Sequence, residues 1–273
     1  MRLEVGLSPF DAAPVALAAA ATAADEAGIT GIWTMDHLSG FVHHGRRTVL
    51  EGLTCLAILA SATTRCRIGP LVVNAALRPP AVLAQALATV QAWSGGRLVV
   101  GLGAGGGGGR YGDELRVAGL TDDPPPVRRA RVEDTIEILG RAWSGSTEAW
   151  RGRLAALGPG GGLLRPEPVP ALVVGGYGPR MAELAGRRAR GFNTSADHAD
   201  LEALGATARR ARTGAGGGPF EFSAFALYEP GWLDPTSDAR RRLVDAGVDV
   251  LVLWVHAPHD HDVLARIAAA SGP

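Results

Sequence analysis

The chain has 273 residues, 47% hydrophobic and 20% charged, which supplies a sizeable core and excludes a disordered polymer. Its 27 basic residues, all Arg, cancel its 27 acidic ones, so neither nucleic acid nor an anionic membrane surface finds an electrostatic footprint. No stretch of about 18 or more apolar residues lacks a charge or a breaker, which argues against a membrane span.

Strand and helix signals alternate from the first residues on. Residues 3–8 read as a strand, and 14–27 as a helix opened by Pro14 and closed by Gly28. Residues 31–36 form a second strand. Residues 49–62 carry apolar side chains at helical spacing. Residues 67–74 are the third strand and 80–93 its helix. Residues 97–102 are a fourth strand that leaves into a long glycine-rich loop, and 127–143 a fourth helix behind Pro124-Pro125-Pro126. Residues 144–169 hold no good regular element, which fits an insertion loop or hairpin. The second half repeats the theme, with strands at 171–175, 191–195, 220–228 and 248–255 and helices at 179–190, 199–211, 234–246 and 260–270.

Apolar strands alternating with helices imply parallel strands covered by helices. Eight such units in a chain of this size favour an α/β fold of one kind, a single eight-stranded parallel (β/α)8 TIM barrel. The linker-like stretch 213–218 is short, so residues 1–273 read as one domain. Met1-Arg2-Leu3-Glu4 enters a strand directly, without an apolar leader, and a cytoplasmic enzyme is expected. With no Lys in the sequence, Schiff-base chemistry through a lysine amine is excluded, and any phosphate must be held by Arg, amides or hydroxyls. Cys55 falls among apolar helix residues and Cys66 at a strand start, and both read as small structural residues.

Active sites of such barrels stand where the strands end. Strand signals stop at Asp36-His37, Val72-Val73-Asn74, Gly103-Ala104-Gly105, Gly175-Gly176-Tyr177-Gly178, Asn193 and Trp254-Val255-His256. A histidine there can exchange a proton near neutral pH. Gly175 to Arg180 reads as strand, glycine turn and a helix opened by Pro179, whose first amides suit a phosphate. Gly101-x-Gly103-x-x-Gly106 matches a dinucleotide fingerprint, but no apolar helix follows it, and a lone match is weak. His256 to Asp262 is rich in His and Asp, yet its spacing fits no standard metal site, and no metal is expected. His43-His44 sit in the loop after the second strand, where they either line the substrate mouth or are solvated.

Three segments carry a family resemblance: Arg65 to Asn74, Arg78 to Gln85, and Ser94 to Gly105 with its turn, short strand and glycine exit. With Trp33-x-x-Asp36-His37 they resemble the luciferase-like monooxygenase superfamily, in particular the branch that uses the 5-deazaflavin coenzyme F420. The resemblance is strongest from Leu56 to Leu139. It implies a bacterial-luciferase-like barrel that transfers hydride between the reduced coenzyme and a C=C or C=N bond of a small molecule, such as an intermediate of a specialised metabolite. It places Asp36 and His37 beside the coenzyme, with His37 as proton donor or hydrogen-bond partner and Asp36 orienting it or touching the cofactor. Val72, Val73 and Asn74 would form a bulge behind the central ring, with a non-prolyl cis peptide at Leu71-Val72 or Val72-Val73. Gly103, Ala104 and Gly105 would pack their backbone against the ring. Gly175, Gly176, Gly178 and Arg180 would hold the phosphate, Arg180 standing where relatives commonly have Lys.

One departure bears on the substrate. Sugar-phosphate dehydrogenases of this branch carry a glutamate right after the glycine strand end, where this chain has Gly106. Sugar-phosphate chemistry is therefore not expected. The nearest acids, Asp113 and Glu114, fall in a segment read as structural. The alternatives are an FMN-dependent monooxygenase on the same barrel and a cofactor-free binding or partner subunit. A small-molecule substrate is the expected partner, and a homodimer is compatible with the sequence without being specified by it.

Overall fold

The computed structural model describes residues 1–40, 47–106 and 109–271, with the side chains of 109–111 outside the description. The chain begins with β1 (Arg2–Leu7), α1 (Pro14–Glu26), β2 (Gly31–Thr34), α2 (Gly52–Ala62), β3 (Arg67–Pro70), β4 (Val73–Asn74) and α3 (Pro80–Trp93). It continues with β5 (Val99–Gly103), α4 (Gly109–Val117), α5 (Pro125–Ser144), a small hairpin of β6 (Trp150–Arg151) and β7 (Ala156–Leu157), β8 (Ala171–Gly175) and α6 (Pro179–Arg188). The last part holds β9 (Gly191–Ser195), α7 (Leu201–Gly214), β10 (Glu221–Leu227), a 3-10 turn at Pro230–Leu233, α8 (Asp238–Asp245), β11 (Val250–Val255) and α9 (His261–Ser271).

Nine strand segments form one sheet in the order β3-β2-β1-β11-β10-β9-β8-β5-β4, every pairing parallel. A parallel bridge between Ile68 and Leu98, with the Ile68 amide donating to the Arg97 carbonyl at 3.1 Å, joins β3 to the start of β5 and closes the sheet. The segments β3 and β4 are two halves of one stave, separated by a cis peptide at Leu71-Val72, the first of the two expected positions. The result is the expected eight-stranded barrel. No described helix is long and apolar enough to cross a membrane.

The strands bury both faces, and residue parity sorts the two cores. On β11, Leu251, Leu253 and Val255 face outward to the helices, while Val250, Val252 and Trp254 face the barrel interior with Trp33 and Leu71. On β1, Leu3, Val5 and Leu7 join the outer core, and Gly6 leaves the space that the Trp254 ring fills. The N-terminal floor is polar. Fully buried Glu4 accepts two bonds from Arg67, both at 2.9 Å, and one from Trp33 Nε1 at 2.8 Å, and Arg67 also reaches Glu221. Buried charge here is paired, as it must be, and lies at the end of the barrel away from the chemistry.

Boundaries moved where caps decide them. The second helix starts at Gly52 because the Glu51 carboxylate accepts the Thr54 amide at 2.7 Å. The eighth starts at Asp238, capped by Ser237, and the stretch before it is the 3-10 turn. The loop expected after β5 contains a helix, α4, ended by Gly119 in the left-handed conformation at φ 71°.

Candidate active site

The end of β2 delivers two ionisable side chains to opposite sides, as adjacent residues of an extended chain do. Met35 packs against the interior cluster. Asp36 turns outward toward the start of α2 and is buried. Its two oxygens accept from Arg78 in a fork, both at 2.8 Å, and Oδ2 also accepts the Asn74 amide at 3.0 Å. Arg78 is shared with Glu51. Burial pushes Glu51 up, but the Thr54 amide and hydroxyl and the Arg78 charge outweigh it and hold its carboxyl below the usual range. Asp36 thus ties β2, β4 and α2 together. In place of the expected bond to His37, the Asp36 oxygens accept from Arg78 and from the Asn74 amide.

His37 points the other way and stays partly open, its side chain 21% exposed, with the Phe10 ring 5.3 Å away. Its orienting partner is Glu114 from α4. Nδ1–H of His37 donates to Glu114 Oε2 at 3.0 Å, while Glu114 Oε1 accepts the amides of Leu38 at 2.5 Å and Ser39 at 3.2 Å. Glu114 is almost wholly buried. That burial raises its carboxyl, yet the hydrogen bond and charge of His37 and the two amides prevail and hold it below the usual carboxylate range. Sequence reasoning read this segment as structural. The available signal was an acid followed by an apolar residue, Glu114-Leu115, on a helix at the mouth; what was not legible is that this helix brings Glu114 onto the residues after β2.

The third stave supplies the wall of the site. Val72 lies on the interior side with Leu71, whereas Val73 is fully buried in the outer core. The Val73 side chain faces the helices, which leaves its backbone for the expected bulge behind a cofactor ring. Asn74 Oδ1 accepts the Ala76 amide at 2.9 Å and abuts Gly105, whose φ is 71° and whose missing Cβ makes room for it. Gly103 and Gly175 face Val72. A Cβ on Gly103 would overlap Val72 Cγ2, and one on Gly175 would stand 2.7 Å from Cγ1. Their bareness makes room for the Val72 side chain. Ala104 and Gly105 remain partly exposed beyond the strand end, with the Gly105 carbonyl accepting from Arg128 at 2.7 Å.

Across the mouth, β8 runs into the turn Gly176-Tyr177-Gly178. The Gly176 amide donates to the Asn193 carbonyl, and Tyr177 stacks on His198, ring centroids 6.3 Å apart. Gly178 caps α6 without a side chain, a Cβ there would meet nothing, and Pro179 opens the first turn. Arg180 is exposed, and among the described residues no hydrogen bond or ion pair takes up its guanidinium. Uncapped helix amides, open space at Gly178 and an uncommitted fork of donors fit a phosphate group.

Asn193 is spent on structure, donating from Nδ2 to Ser223 Oγ at 2.9 Å. Trp254 lies in the barrel, and His256 is half-buried at the end of β11, its imidazole pushed down by burial and by the Arg47 charge. Buried His259 bonds the Ser8 carbonyl through Nε2. Burial pushes both cysteine thiols up to about 12, so neither is a nucleophile. Among the described residues no three His, Cys, Asp or Glu side chains gather to hold a metal ion. His43 and His44 lie outside the described residues.

The sequence matches the family model of the luciferase-like monooxygenases over residues 5–268. It is 32% identical over 174 residues to an F420-dependent glucose-6-phosphate dehydrogenase of Amycolatopsis mediterranei, covering 63% of this chain and 50% of that one. It is 29% identical over 177 residues to a 5,10-methylenetetrahydromethanopterin reductase of Archaeoglobus fulgidus, covering 64% and 47%. The matched region thus spans about half the length of these curated relatives. The structure of an F420-dependent secondary alcohol dehydrogenase in complex with an F420-acetone adduct superposes with a TM-score of 0.83 at 19% identity, over 100% of both chains.

Proposed function

The chain belongs to the luciferase-like monooxygenase family, and we propose that it is an F420-dependent oxidoreductase that reduces a C=C or C=N bond of a small molecule or catalyses the reverse. The names of the relatives support the cofactor class. The observation that carries the reading is His37, held at the end of a barrel strand with Nδ1 engaged and its ring partly open to the mouth.

When bound, a deazaflavin supplies hydride transfer, because carbon replaces the flavin nitrogen that activates oxygen. The chain's own residues do the rest. The amides of the first turn of α6 and Arg180 hold the phosphate, and the open space at Gly178 admits it. Val72, backed by Gly103 and Gly175, gives the ring a rigid apolar wall. His37 exchanges a proton through Nε2, since Nδ1 is committed to Glu114. Asp36 and Arg78 keep the ends of β2 and β4 together. Gly106 offers no carboxylate to a substrate, and so the substrate we propose is a small alkene or imine, outside the sugar phosphates. The reading includes a cytoplasmic enzyme.

Titration of the purified protein with F420 and with FMN tests this. F420 should bind more tightly. Micromolar binding of FMN with no detectable binding of F420 would replace the reading with that of a flavin monooxygenase, and binding of neither would leave a partner subunit.

A further inference from the structure

The carboxylate of this site comes from α4, eight residues beyond Gly106, and is turned onto a histidine. Its two oxygens have divided labour. Oε1 accepts the backbone amides of Leu38 and Ser39, at 2.5 and 3.2 Å, and lies 3.2 Å from His37 Nδ1; Oε2 is the closer partner of that nitrogen, at 3.0 Å. A carboxylate accepts and never donates while ionised, so the facing nitrogen must carry a hydrogen. Four contacts from one 2%-exposed group leave the ring of His37 little freedom to turn.

The geometry points to Glu114 as the positioning residue of the site: it holds His37 in the Nδ1–H tautomer, so that Nε2 is the atom that gives and takes the proton. This rests on the reading above only in what the proton is used for. When His37 is neutral, Nε2 carries the lone pair and can act as a base. When it is cationic, Nε2–H is the acid, and after its proton leaves, the ring returns to the tautomer that Glu114 already accepts. Hydride and proton then account for the two electrons and two hydrogens of the reduced bond. Among the described residues the other charged groups around the end of β2 are matched elsewhere, Asp36 with Arg78 and Arg78 with Glu51, and the loop after β1 brings the Phe10 ring to His37 and pairs Asp11 with Arg47.

The distinction between the two oxygens makes the inference sharp for Glu114→Gln. The amides of Leu38 and Ser39 will fix the glutamine oxygen in the Oε1 place, since they can only donate. The NH2 group then takes the Oε2 place, the one closer to His37 Nδ1, where it can only donate. The tautomer should invert to Nε2–H, with the fold intact.

Nitrogen-15 chemical shifts of histidine-labelled protein, with His37 assigned by His37→Gln, read this without any cofactor. Wild type should show Nδ1–H and Glu114→Gln should show Nε2–H. In the loaded enzyme, kcat should fall by about 100-fold or more with KM changing far less, and Glu114→Asp should recover little because it is one methylene short. An Nε2–H tautomer in wild type overturns the assignment, and wild type alone decides if the variant does not fold. Inverted tautomers in a protein that binds no F420 would uphold Glu114 and refute the cofactor reading.

Discussion

Val72 occupies the space that Gly103 leaves empty: a Cβ on that glycine would overlap Val72 Cγ2. The two residues sit on neighbouring staves, β4 beginning just after Val72 and β5 ending at Gly103, paired through Val73 and Leu102. An apolar wall therefore exists at the mouth only because the strand beside it is bare.

Gly103→Ala should destabilise the fold by about 1–3 kcal/mol, the usual cost of overpacking a filled interior. It should also weaken cofactor binding, since Val72 must move. Thermal unfolding of Gly103→Ala, Val72→Ala and the double variant checks this. The double variant should be more stable than the sum of the two single losses predicts. Strict additivity would show that Val72 turns aside at no cost.

A second prediction concerns acid. Asp25 at the end of α1 accepts the amides of Thr64, Arg65 and Cys66 at 2.8, 3.2 and 2.8 Å, joining the loop before β3 to the first helix. Burial raises its carboxyl, but those amides dominate and bring it from 3.8 down to about 2. A pKa lower in the folded state stabilises at high pH: the contribution is full above about 3.8 and disappears as pH falls through about 2. Its size is on the order of 1–2 kcal/mol. Asp25→Asn should lose that part of the acid dependence, so that the thermal midpoints of wild type and variant converge toward pH 2. A constant gap between the two curves across this range would remove Asp25 as the cause.

The barrel was legible because its staves announce themselves. Residues 171–175, 191–195 and 80–93 fall where the sequence puts them, since glycines and prolines punctuate each one. His37 and Val72 stand where a strand signal stops, and Arg180 in the first turn of the helix that follows one, so their place at the mouth was legible. The partners of Asp36 and Glu114 and the direction of Val73 were not legible, for one shared reason. Whether a side chain at a strand end faces the helices or the mouth depends on parity through a broken stave and on which helix folds back over it. Nothing local to Asp36 says that Arg78 lies opposite, 42 positions later. Likewise, nothing local to Glu114 says that its helix, α4, meets the residues after β2.

Arg180→Ala should raise the dissociation constant of F420 roughly tenfold or more, the equivalent of a lost charge-assisted bond of about 1.5–3 kcal/mol. The side chain is exposed and has no protein partner among the described residues, so the fold should be unaffected, and unfolding curves should coincide. Arg180→Lys should retain part of the affinity, a point charge replacing a fork. An unchanged constant in Arg180→Ala would place the phosphate elsewhere.

His37→Ala separates chemistry from binding. The imidazole is bonded to Glu114 through Nδ1 and is 21% exposed, so its removal takes away the proposed proton-exchanging atom while leaving the Val72 wall and the α6 turn in place. Turnover should fall by about 100- to 10,000-fold, the span typical of a lost general acid or base. F420 affinity should change little. Stability should drop, because removing the ring leaves the buried Glu114 carboxylate without its histidine, though the Leu38 and Ser39 amides still hold it. His37→Ala combined with Glu114→Gln should therefore be more stable than His37→Ala alone, and no more active. If His37→Ala turned over at the wild-type rate, the proton would come from solvent, the substrate or His256, a half-buried histidine at the end of β11. His37→Ala,His256→Ala would then identify which, since a loss confined to the double variant assigns the step to His256.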